Sequence, residues 1–152
     1  MIARCLYLVA GFAALMLAGC GDGSKPAAVP AGGTVTFNKT TPPVGALVVF
    51  HPIDAATEKR IGGKPFGKVK DDGTFVLTTY AEGDGAPPGE YGVTVDWRPS
   101  TKDTKGAKFS IGDAGASSGP SKLSAKYGNP QQPVLKATVA ASGSNQFTFD
   151  VD

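Results

Sequence analysis

The sequence predicts an all-β fold, a single antiparallel β-sandwich of about seven short strands, on three observations. Phe75, Leu77 and Thr79 alternate with Thr74, Val76 and Thr78, and Tyr91, Val93, Val95 and Trp97 alternate with Gly92, Thr94, Asp96 and Arg98. That period of two belongs to half-buried strands. The 21 Gly and 12 Pro among 152 residues, with abundant Thr and Val, favour many short strands joined by turns. No long helical stretch follows the N-terminal apolar run, so the alternating faces are buried only if one sheet covers another. A 41% hydrophobic content suffices for one core, and the length fits one domain.

Taken in order, Met1 to Arg4 carries one positive side chain, and Cys5 to Ala18 is an apolar run of about 14 residues, short of the roughly 20 a helix needs to span a bilayer. Residues 1–19 therefore read as a signal peptide. The run ends in Leu17-Ala18-Gly19-Cys20, which resembles the lipobox of bacterial lipoproteins. That resemblance implies cleavage after Gly19, a diacylglycerol thioether on Cys20 and a further acyl chain on the new amine. Two or three acyl chains hold where one is marginal, since each buried CH₂ contributes about 0.8 kcal/mol. With Cys5 in the leader and Cys20 lipidated, no thiol is left for a disulfide, a metal site or nucleophilic catalysis. Residues 20–31 comprise the lipidated Cys20 and a small, polar, Pro-containing stretch, expected to be a flexible tether about 10 residues long that holds domain 32–152 off the membrane.

Within that domain, Gly32 to Phe37 is a first strand with Val35 and Phe37 inward, and Val44 to Phe50 is an apolar run fit for a central strand ended by Pro52. His51 to Pro65 is polar and reads as a solvated loop or short helical turn. Asp71-Asp72-Gly73 is a tight-turn signal that opens the strand Thr74 to Tyr80; a Gly/Pro-rich bend then leads into the strand at Tyr91, and the whole reads as a hairpin. From Pro99 to Pro120 the pattern dissolves into a long Gly- and Ser-rich loop with Phe109 and Ile111 its large apolar residues. Ser121 to Tyr127 suits a short helix capped by Ser121 and stopped at Gly128-Asn129-Pro130. Two last strands place Leu135, Ala137 and Val139, then Phe147, Phe149 and Val151, on shared faces.

The succession Gly33-Thr34-Val35-Thr36-Phe37, Pro43-Val44-Gly45-Ala46, Asp72-Gly73-Thr74-Phe75-Val76-Leu77 and Pro88-Gly89-Glu90-Tyr91-Gly92-Val93-Thr94-Val95 resembles the carboxypeptidase regulatory-like, transthyretin-like (prealbumin-type) domain. Lys68 to Tyr80, Glu82 to Trp97 and Asn145 to Phe149 are similar to motifs of small lipoproteins of planctomycete bacteria. The resemblance covers the chain from Gly32 to Val151 and implies a β-sandwich; its motifs describe turns and core positions and assign no catalytic residue. Transthyretin-like hydrolases of hydroxyisourate use several histidines and a C-terminal Tyr-Arg-Gly-Ser, whereas this chain has one His and ends Phe-Thr-Phe-Asp-Val-Asp. The Lys that an isopeptide bond needs on the first strand is also missing from Thr34 to Phe37.

His51 stands without the partners a general base or a metal centre needs, and reads as structural or solvent-exposed. Asp71, Asp72, Glu82 and Asp84 supply oxygens suited to Ca²⁺ if their two bends meet, but turn chemistry explains them more simply. Trp97, Tyr80, Tyr127 and Phe109 are the rings available for a flat sugar-binding platform; Trp97 continues the inward row of Tyr91, and Tyr127 is the better placed for exposure. The formal net charge of +2 comes with no clustered basic face, which argues against nucleic acid. The expectation is thus a non-enzymatic, lipid-anchored binding or structural module of the cell envelope, exported and facing the periplasm or the cell surface. It uses no cofactor, and its partner is an envelope protein or polysaccharide met through loops such as Pro99 to Pro120. A carbohydrate-binding module at the membrane surface is the alternative.

Overall fold

The computed structural model of the chain describes residues 24–98 and 120–152. β1, Ala31–Phe37, buries Val35 completely. β2, Leu47–Pro52, follows, with Val48 and Phe50 fully buried. Then comes α1, Ala55–Ile61: the Asp54 carboxylate accepts from the amides of Ala56 and Thr57, and Ile61 pins the last turn to the interior. β3, Phe66–Lys68, and β4, Thr74–Val76, flank the Asp71-Asp72-Gly73 turn, where Asp72 accepts from the Thr74 amide and hydroxyl. The longest strand is β5, Gly89–Asp96. A 3₁₀ turn at Ala125–Gly128 leads to β6, Leu135–Val139, and β7, Asn145–Val151.

Two sheets result, ordered β4-β1-β7 and β3-β2-β5-β6, and they face one another as a sandwich. Phe50 projects from the four-stranded sheet between the rings of the other: its centroid lies 6.5 Å from Phe75, 5.5 Å from Phe147 and 6.3 Å from Phe149, with Tyr91 of its own sheet at 5.6 Å. The alternation read from the sequence is therefore the core, since Phe75, Leu77, Tyr91, Val93, Val95, Phe149 and Val151 are all buried. β2 is central in its sheet, as its unbroken apolar run requires.

Several elements depart from the expectation. β1 and β7 pair in parallel, Ala31 opposite Asn145 through Phe37 opposite Val151, so one sheet is mixed. The contact is close: a Cβ on Gly33 would lie 2.0 Å from the Phe147 carbonyl oxygen, so glycine alone fits there. The strands at Thr74 and Tyr91 do not form a hairpin, because β4 pairs with β1 whereas β5 pairs with β2 and β6. β4 ends at Val76 because the amides of Thr79, Tyr80 and Ala81 turn to the Asp84 carboxylate. β5 is buried on both faces, since Thr94 is only 8% exposed and Pro133 lies over Gly92. The helix expected over Ser121 to Tyr127 shrinks to one 3₁₀ turn; its start is drawn to Trp97, whose carbonyl accepts from the Lys122 amide at 2.7 Å, while the Ser121 hydroxyl bonds both the Trp97 backbone and the Leu123 amide. Within the stretch expected to be a tether, Val29 and Ala86 exchange two backbone hydrogen bonds of 3.0 Å. The expected leader, Cys20 and the loop through residue 119 lie outside the described residues.

Candidate functional site

β1 gives the sandwich two distinguishable ends. At the proximal end, where β1 starts, Tyr80 donates its hydroxyl hydrogen to the Pro26 carbonyl at 2.9 Å, Val29 meets Ala86, and the Asn145 amide donates to Pro30. At the distal end, Phe37 meets Trp97 edge-on at 5.5 Å. The Trp97 indole N–H donates to the Val44 carbonyl at 3.0 Å, and the Gly45 amide donates to Val69 at 2.8 Å.

That distal end holds an open groove of about 810 Å³ lined by Val44, Gly45 and Lys68 to Asp72. One wall is a tight turn in which the Ala46 amide donates to Pro43 at 2.9 Å, with Gly45 at φ 81° in the third position. Only glycine takes that conformation without strain, and the turn lifts Val44 to its crest, 44% exposed. The other wall is the Asp71-Asp72-Gly73 turn, bordered by Lys68 and Lys70. The Thr74 hydroxyl and amide hold the Asp72 carboxyl below the usual range, keeping it ionised and committed to the turn. The groove thus sets an apolar crest beside two lysines and the carboxylates of Asp71 and Asp72.

The rings expected to form a platform lie elsewhere. Tyr127 is buried rather than exposed: its hydroxyl donates to Asp152 at 2.7 Å, and the Lys126 ammonium stands 4.8 Å above its ring. Burial first, then the Asp152 carboxylate, pushes that phenol up. Trp97 is half-buried, and Lys122 occupies a face of its ring at 4.5 Å. Tyr80 is exposed, but at the proximal end, while Phe109 lies outside the described residues.

His51 is half-buried on β2, with Nε2 2.8 Å from the Thr94 hydroxyl on β5. Burial lowers its pKa, the Lys64 charge lowers it further, and Glu58 opposes both. The two acidic bends do not meet: Asp71 and Asp72 sit at the distal groove, whereas Asp84 is tied to the proximal Tyr80 turn. Among the described residues, no three His, Cys, Asp or Glu side chains converge on a metal position.

The sequence reading missed the groove because it extended the strand back through Val44. The signal was present in Pro43-Val44-Gly45, where Pro followed two residues later by Gly marks a turn. No protein-family model, curated protein or solved structure matches the chain.

Proposed function

We propose that this protein is a lipid-anchored, non-catalytic module of the cell envelope that presents its distal groove to an envelope protein or polysaccharide. The observation that carries the reading is the separation of the two ends: the segment following Cys20 is tied down where β1 begins, and the groove lies where β1 ends. Six steps along β1 put about 20 Å between them at the strand rise of roughly 3.3 Å per residue. An anchor at Cys20 thus leaves the groove facing away from the membrane. The resemblance to transthyretin-like domains of small bacterial lipoproteins supports the same reading.

The anchor is tested by mass spectrometry of the native N-terminus, which is expected to begin at an acylated Cys20; a free Cys20 thiol would end this reading. The groove is tested by crosslinking in intact envelopes, comparing the native chain with a Lys70→Glu variant that keeps the fold. Loss of the crosslinked species in the variant supports the groove, and an unchanged pattern removes it.

A further inference from the structure

We infer that the proximal end of the sandwich rests in the lipid headgroup layer, with the Tyr80 ring and Lys25 as its contacts; this deepens the anchored reading above and depends on it. The chain is fastened to the domain as far back as Pro26, through the Tyr80 hydroxyl at 2.9 Å, and the Lys25 ammonium stands 5.3 Å from the centre of the Tyr80 ring. From Cys20 to Pro26 there are six peptide steps, which reach at most about 22 Å whatever path they take. The headgroup region itself occupies roughly 5–8 Å on each side of the hydrocarbon. The Pro26–Tyr80 corner therefore stays within about 17 Å of the headgroup surface, less than the roughly 20 Å length of β1. The tether keeps that end of the sandwich nearer the membrane than the other.

The side chains at that end fit the placement. Tyr80 is 39% exposed, and Ile53, which follows β2 and donates its amide hydrogen to Glu90, is 56% exposed. An amphipathic ring beside a lysine is the pair that sits at headgroup level, ring at the acyl boundary and amine in water.

The native acylated chain, reconstituted in phosphatidylcholine vesicles with brominated acyl chains, tests this directly, because its one tryptophan, Trp97, reports the distal end. An Ile53→Trp variant in a Trp97→Phe background reports the proximal end and leaves the Tyr80–Pro26 bond in place. Quenching of roughly two-fold in the variant, with Trp97 of the native chain nearly unquenched, is the expected result. A Gly-Ser insertion of about 12 residues after Gly21 should abolish the difference by lengthening the reach. Equal, negligible quenching at both positions, with mass spectrometry showing acyl chains on Cys20, overturns the headgroup contact and leaves the anchor standing. A non-acylated Cys20 overturns both.

Discussion

Tyr91 shows how one side chain is committed by its surroundings. Its ring is fully buried, its hydroxyl donates to the Pro87 carbonyl at 2.6 Å, and burial pushes its pKa up to about 12. Because the folded value lies above the ordinary 10.0, its contribution is complete below pH 10 and is lost as the pH climbs toward about 12. Tyr91→Phe should cost about 1–2 kcal/mol in urea unfolding at pH 7, since it leaves a buried carbonyl unpaired, and should remove that alkaline loss. His51 has the opposite sign. Its folded pKa is depressed below 6.5, so its contribution is present above pH 6.5 and is lost as the pH falls through the folded value. The melting temperature should therefore decline on acidification below about pH 6.5, and His51→Gln, which can still bond Thr94, should flatten that part of the curve. A native curve already flat there would show that His51 does not feel its burial. The alternation of Tyr91 was legible in the sequence; the Pro87 bond was not, since a contact across a bend leaves no periodic trace.

Among the elements, the parallel pair of β1 and β7 joins the beginning of the domain to its end. Asn145 locks that junction: its side-chain oxygen accepts from the Ala140 amide at 2.8 Å, while its nitrogen donates to Ala140 at 3.1 Å and Pro30 at 3.3 Å. It is 5% exposed, so Asn145→Ala should cost about 1–3 kcal/mol and speed amide exchange at Val29, Ala31 and Ala140 more than at β5. Uniform acceleration across both sheets would deny Asn145 this local role. Strand existence was readable from alternating side chains, and the Asp71-Asp72-Gly73 turn from its residue types. Partner choice was not. A tight turn normally joins paired strands, yet here the flanking segments pass into different sheets, and Phe66 and Thr78 keep only a bridge between them.

For the molecule as a whole, Phe50 is the residue through which the sheets cohere, since it meets rings from both. Phe50→Ala should cost about 3–5 kcal/mol, a large share of the roughly 5–15 kcal/mol that stabilises a domain of this size. Far-ultraviolet circular dichroism and Trp97 fluorescence should shift together to lower denaturant in that variant, as one core demands. Separate transitions would mean that the sheets unfold independently.

The order of side chains along the chain was enough to settle which strand faces turn inward and the Asp71-Asp72-Gly73 turn, though not the turn at Pro43-Val44-Gly45, because period and turn chemistry act over a few residues. Sheet membership, the parallel pairing of β1 with β7, the burial of Tyr127 and the placing of the groove opposite the fastened N-terminal segment rest on contacts between residues far apart in sequence. Such contacts are selected by how whole faces pack, and a single strand carries no record of the partner against which it will lie.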